Sequence, residues 1–282
     1  MSNTDQINPL TKHFRQPQLY LKLPSRGRWY IEGSLSMPPT GELPVYAMTA
    51  RDELTLKTPD ALLNGQATVD VIQSCVPNIK NAWRMPIVDL DAVLIAIRKA
   101  TYGPGMEFAS LCPHCGSKNE HTANLDGVSA GITCPDFDGT ILADGLEFFI
   151  RPQTYEQFNK TSLENYEQQR ILSVVTNDQL SSEEKIANFT KLFNRLLDMT
   201  VEQVAKSVAA IKTQDGVTVE DHKFIDEYFR NCNRPAWDAI KGKLTELGSQ
   251  NPVKNIDITC ENEDCLKSYT TPLLFETSSF FG

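Results

Sequence analysis

The chain is 282 residues long, enough for one large domain or two modest ones around a substantial core. Its composition, 40% hydrophobic and 22% charged, is that of an ordinary globular protein rather than a disordered or fibrous one. A formal net charge of -9 argues against a nucleic-acid backbone as the main partner, because that partner needs a positive surface. Lys22, Arg26 and Arg28 make a local basic patch, but so few charges on a loop are ordinarily just solvated.

The opening MSNTDQINPLTKHF has no charged start leading into an apolar run, so no signal peptide is expected. No stretch reaches the roughly 20 apolar residues of a bilayer span. A soluble protein made in the cytosol is therefore expected. Residues 1–20, polar and carrying Pro9 and Pro17, read as a loose N-terminal arm. In LKLPSRGRWY (21–30), Pro24 and Gly27 bracket a turn and Trp29-Tyr30 is expected to start a strand. GELPVYAM (41–48) reads as a strand ending at Thr49. Thr49-Ala-Arg-Asp52 has the form of a capping box opening a helix over 50–57. Residues 67–76 place Val69, Ile72 and Val76 at helical spacing, with Pro77 as the stop. VDLDAVLIAIRKATYG (88–103) is the clearest helix of this half, with Leu90, Val93, Leu94 and Ile97 on one stripe and Gly103-Pro104 at its end.

Residues 139–152 read as a β-hairpin turning at Ala143-Asp144-Gly145. From Thr154 to about 248 the pattern becomes helical. Starts are signalled at Thr154, Ser181, Thr200 and Thr218, each followed three residues later by an acid or amide. Apolar residues fall at helical spacing in Ile186, Phe189, Leu192, Phe193 and Leu196, and again in Phe224, Ile225, Tyr228 and Phe229. Pro235 is expected to begin a last helix carrying Trp237, Ile240, Leu244 and Leu247, closed by Gly248. After Asn251-Pro252 the chain turns extended again. No solenoid repeat or low-complexity run is present.

Seven cysteines are an odd number, unlike a secreted disulfide framework, and in a reducing compartment paired cysteines more often mean metal. LCPHCG (111–116) and TCENEDC (259–265) have knuckle spacing, with two and four residues between the cysteines. Each sits between short extended runs, so two knuckle hairpins facing one another would make a zinc ribbon. Cys112, Cys115, Cys260 and Cys265 are thus expected to hold one structural Zn2+ with no open coordination position. About 144 residues separate the pairs, against the commoner 15–20. Loop closure costs grow only logarithmically, however, and a folded insertion with adjacent ends costs less still. Cys134, His114 and His121 are alternative ligands, and Cys75 and Cys232 read as packing residues.

No catalytic constellation stands out. The chain has no phosphate-binding glycine loop, GxSxG or HExxH, and none of its four histidines lies at metal-ligand spacing from another. His222 reads as a solvated helix-start residue, Asp89-Leu-Asp91 as ordinary helix capping, and the acids at 261–264 as solvent-facing.

Several phrases in the first hundred residues, LPSRGRWY (23–30), MTARDELTL (48–56), PDALLNGQATVDVIQSCV (59–76) and IRKATYG (97–103), occur in an order that resembles the baseplate hub and hub-assembly proteins of T4-type contractile-tail phages. The knuckle LCPHCG falls where that pattern places one, and the ending LLFETSSFFG is similar to members that close on an aromatic pair. The resemblance covers residues 20–126 well and 255–282 moderately, and says little about the helical region. It implies a non-enzymatic role in the tail hub, as an assembly chaperone or a minor virion component. Other baseplate hub and tail proteins would be its partners, in the host cytoplasm during assembly and in the virion baseplate.

The expected architecture is α+β: a flexible arm (1–20), an N-terminal α+β domain with the first knuckle (21–152), a helical insertion (153–250), and a C-terminal β segment (251–282) that completes a zinc ribbon stapling them together. Arg26, Arg28, Trp29 and Tyr30 are residue types enriched at interface hot spots and are candidate partner contacts, or else a core-anchoring turn. The rival functions are a zinc-ribbon nucleic-acid-binding regulator, which the -9 charge opposes, and a hydrolase with an unrecognised site.

Overall fold

The computed structural model describes residue 10 and residues 14–57, 65–175, 182–250, 255–272 and 280–281. It is an α+β protein with two separate cores and a small cysteine-bearing module.

The first core is built on an antiparallel pair, β1 (Pro17–Leu21) and β2 (Leu43–Tyr46). Leu19 faces Val45 and Leu21 faces Leu43 across the pair, so period-two alternation turns the leucines and Val45 inward. A strand therefore occupies the end of the segment expected to be a loose arm. Just before it, Arg15 donates to the carbonyls of Ala47 and Ser74 (both 2.6 Å) and reaches Asp52 at 3.4 Å. Asp52 belongs to α1 (Ala50–Leu56), whose capping box is as expected: Thr49 N–H and hydroxyl donate to the Asp52 carboxylate at 2.8 Å, and Asp52 N–H returns a bond to Thr49 Oγ1 at 3.2 Å.

Helices α2 (Gln66–Cys75) and α3 (Leu90–Tyr102) complete this core. The sequence suggests one apolar stripe on α3, but Ala92, Val93, Leu94, Ile95, Ala96 and Ile97 are all buried, so the helix is enclosed rather than half-solvated. Gly103, at φ 84°, lets the chain leave it. Phe280 and Phe281 return from the far end of the sequence into this same core. Arg98 of α3 donates to the Phe280 carbonyl and lies 5.3 Å from the centre of its ring.

Trp29-Tyr30 does not start a strand. Residues 24–29 form successive turns, with Arg26, Gly27 and Trp29 all at positive φ. The cause is Asp89, which is fully buried: it accepts from Ser25 N–H at 2.8 Å and from the Ser25 hydroxyl at 2.5 Å. Asp89 was expected to cap its helix, but its side chain makes no cap bond. It folds the loop instead.

The second core gathers on a four-stranded antiparallel sheet of β5 (Thr140–Ala143), β6 (Leu146–Ile150), β7 (Val208–Lys212) and β8 (Thr218–Val219), in that order. The hairpin turn is as expected, with Asp144 and Gly145 at φ 52° and 73°, the left-handed pair of a two-residue loop that matches strand twist. The region expected to be wholly helical therefore contains two strands, and the hairpin ahead of it belongs to the same sheet. Helix α5 (Tyr155–Val175) starts at Tyr155 in the first core, whereas α6 (Ser182–Ser207), α7 (His222–Asn231) and α8 (Arg234–Gln250) accompany the sheet. Phe148, Val208, Ile225 and Ile240 are wholly buried among them.

Of the expected helix starts, Thr154 holds as a capping box with Gln157, at 2.9 and 3.3 Å. Thr200 lies inside α6, where its hydroxyl bonds back to the Leu196 carbonyl at 2.8 Å. Thr218 lies in β8, and Asp221 caps α7 in its place, accepting from Lys223 N–H at 2.9 Å. Ser181 and the side chain of Leu192 lie outside the described residues. Gly248 does not end the last helix, which continues to Gln250. Ile186, Phe189, Phe193 and Leu196 lie exposed on α6.

Two hairpins form the third module: β3 (Gly105–Leu111) with β4 (Lys118–Asn124), and β9 (Asn255–Thr259) with β10 (Ser268–Pro272). A short helix, α4 (Leu125–Ala130), follows β4.

Candidate metal centre

Each cysteine pair occupies the turn of one of these hairpins, and the two turns are built alike. In the first, Cys112 N–H donates to the Ser117 carbonyl (2.9 Å) and Gly116 N–H to the Cys112 carbonyl (2.8 Å). In the second, Cys260 N–H donates to the Lys267 carbonyl (3.0 Å), while Cys265 and Leu266 N–H both turn back to the Asn262 carbonyl. The residue after the last cysteine is left-handed in both: Gly116 at φ 74° and Leu266 at 47°. Glycine takes that conformation without strain, whereas Leu266 takes it at a cost.

The turns face each other and bring the four sulfurs together, all within 4.8 Å of one another. Cys112 Sγ is 3.9 Å from Cys265 Sγ, and Cys115 Sγ is 3.6 Å from Cys260 Sγ. A tetrahedral ion with metal–sulfur bonds of about 2.3 Å needs sulfurs roughly 3.8 Å apart, so the donors stand at ligand spacing without forming disulfides. Cys112 and Cys260 are buried, and Cys115 is exposed. Hydrogen bonds from the Ser117 side chain and backbone lower the Cys115 thiol to about 6, and burial raises that of Cys260 to about 11.

Polar residues with no sequence signature fix the two turns against each other. Asn119, on β4 and 1% exposed, donates to Tyr269 Oη at 3.2 Å and accepts from Glu261 N–H at 2.8 Å. Ser110 meets Tyr269 Oη at 2.6 Å, and Asn262 donates to Ser117 Oγ at 2.9 Å. Together these bonds join the two hairpins beside the sulfurs. Local sequence offers no hint of them, because each pairs residues that lie far apart along the chain.

The alternative ligands are not part of the cluster. His114 is exposed, His121 packs against the Phe108 ring at 5.7 Å, and Cys134 donates to its neighbour's carbonyl at Pro135. Cys75 is buried beneath Arg15, with its thiol raised to about 12 mainly by burial. Cys232 donates to the Phe229 carbonyl. Glu261, Glu263 and Asp264 face solvent, and no second such cluster occurs among the described residues. His222 is exposed, 2.5 Å from Arg151, and burial and that guanidinium lower its pKa.

The loop residues have different roles. Arg28 pairs with both Asp138 oxygens at 2.7 Å and stacks on Trp29 at 4.3 Å, and Trp29 meets Phe137 edge-on at 5.5 Å. Tyr30 packs partly buried against the first core, and burial beside Asp89 raises its phenol well above the ordinary range. Arg26 stays exposed. The loop thus grips the strap at 137–138 that leads into the second core.

Four soft sulfur donors can hold one thiophilic divalent cation, and they fill a tetrahedral shell with no position left for a substrate. No helix among the described residues is long and apolar enough to cross a membrane. The model of the family described as T4 bacteriophage base plate protein matches residues 34–282. The match begins after LPSRGRWY and runs through the region between the cysteine pairs, where the sequence resemblance said little. The chain matches no curated protein and no solved structure.

Proposed function

The chain belongs to the T4 bacteriophage base plate protein family, and we propose that within it the protein is a non-enzymatic constituent or assembly factor of the central hub of a contractile tail. The observation that carries this reading is the span of the family match, which includes both cysteine pairs and everything between them. Other hub and tail proteins are the partners, met in the host cytoplasm during assembly and retained, for a structural component, in the virion baseplate.

In this reading the four cysteines hold zinc, the commonest ion of closed four-thiolate shells. The ion's free energy of binding becomes free energy of folding, because the sulfurs gather only when Cys115 and Cys260, 145 positions apart, are brought together. The zinc is a clasp at the base of the intervening block, joining the N-terminal segment (21–152) to the C-terminal one (251–282). The block at 153–250, with the sheet it shares with the hairpin at 140–150, carries contacts particular to this protein. Arg26, Arg28, Trp29 and Tyr30 form a partner-facing loop: Tyr30 is its half-buried anchor and Arg26 its exposed cation.

Mass spectrometry of purified virions and of baseplate intermediates from infected cells tests the assignment. Presence in virions identifies a component, and presence only in intermediates identifies an assembly factor. A chain recovered with neither refutes the hub role.

A further inference from the structure

Where the two cores meet, the backbone forms a seam. Ile87 N–H donates to the Gln153 carbonyl and Tyr155 N–H to the Met85 carbonyl, both at 2.8 Å, and Trp83 stacks on Tyr155 at 5.4 Å. Beside this seam lies a cavity of about 390 Å³, within the usual range for ligand sites. Its walls are apolar, with Val88 from the first core, Phe137 from the strap, and Val204, Leu244 and Leu247 from the second. Arg151 and Lys241 are also at its edge, with Gln153, Gln203 and Thr245 supplying amide and hydroxyl groups.

The charge of this cavity is unlike that of the rest of the molecule. The chain has 36 acidic residues to 27 Lys and Arg, yet no Asp or Glu lines the cavity. Neither cation is paired with a carboxylate among the described residues. Arg151 is half-buried, and its guanidinium meets His222 Nε2 at 2.5 Å, with no carboxylate partner among the described residues. A partly desolvated cation without a counter-charge, above an apolar floor, is complementary to an apolar group carried beside an anion. Gln153 Nε2 is bonded to Ser207 Oγ and the Thr245 hydroxyl to the Lys241 carbonyl, which leaves their oxygens as acceptors for the N–H groups of an extended backbone, beside the Gln203 amide.

We propose that this inter-core cavity is a docking site for an extended segment of a partner protein that presents a large apolar side chain next to Asp or Glu. The site is independent of the metal clasp, and its failure would leave the hub assignment standing.

The test is fluorescence anisotropy on the full-length, metal-loaded chain. The probe is a fluorescein-labelled hexapeptide alternating glutamate with phenylalanine and leucine, and the control replaces each glutamate with lysine. Saturable binding of the acidic peptide alone is expected. Lys241→Glu, at an exposed edge that does not disturb folding, should weaken it about two- to fivefold. Arg151→Gln, with an unchanged unfolding midpoint, should weaken it roughly tenfold or more. Octanoate offers the same chemistry without a backbone, and should fail to displace the peptide at concentrations of about 1 mM. Three outcomes overturn the proposal: equal binding of the lysine peptide, full displacement by octanoate, or an acidic peptide whose affinity is unchanged by Lys241→Glu.

Discussion

Truncating Phe280 to alanine removes a ring that is wholly buried in a core whose other buried members, Phe281 apart, all lie at or before Tyr155. The backbone carbonyl that accepts from Arg98 remains, so the loss is of the ring, its edge-on contact with Phe281 at 5.0 Å and the guanidinium above it. A buried Phe→Ala change costs about 3–5 kcal/mol, combining lost transfer energy with an unfilled cavity. Against a total stability of roughly 5–15 kcal/mol this is a large fraction. Urea denaturation followed by far-ultraviolet circular dichroism measures it, with Phe189→Ala, at an exposed position of α6, as the control, expected to cost under about 0.5 kcal/mol. If the C-terminal pair were merely lying on the surface, the two variants would cost the same. A loss below about 1 kcal/mol for Phe280→Ala refutes the closure of the chain on its first core.

Asp89 gives a pH signature. Burial raises its carboxyl from 3.8 to about 6 despite the bonds from Ser25, so the folded protein holds a proton that the unfolded chain has released between those values. Its contribution is fully present below about pH 4 and is lost as pH rises toward 6, by at most about 3 kcal/mol. Asp89→Asn should flatten stability across that window, and a slope that persists in the variant would place the titration elsewhere. Asn119→Ala removes the side chain that bonds Tyr269 and Glu261 across the two hairpins. Metal affinity, by competition with a chromophoric chelator, should fall roughly 10–100-fold with all four sulfurs intact. Unchanged affinity would show that the hairpins need no polar support.

The four-cysteine cluster could be read from the sequence because its pattern is local in each half: two cysteines at knuckle spacing, flanked by extended runs. What lay beyond the sequence was how the halves are held, since Asn119, Tyr269 and Asn262 acquire their roles only when the hairpins meet. The same division runs through the fold. The Thr49 and Thr154 capping boxes were legible because a cap is completed within four residues. At Thr200 the same pattern misleads, because a threonine hydroxyl within a helix can bond back to the carbonyl four residues earlier. Val208–Lys212 follows a long helix in apolar register, and only its pairing with β6 identifies it as a strand. Trp29-Tyr30 is β-prone by composition, but a buried carboxylate 64 positions away from Ser25 curls the loop. Pro17–Leu21 is a strand because β2 offers it an edge, which a reading of the N-terminus by itself does not include.

Metal content of the purified protein tests the clasp most directly. Elemental analysis after desalting should give about one zinc per chain, lost in Cys260→Ser together with a lower unfolding midpoint, since structural zinc contributes to folding outright. A wild-type chain that carries no metal and is unaffected by a chelator, or a Cys260→Ser chain that keeps full occupancy, contradicts the four-cysteine clasp.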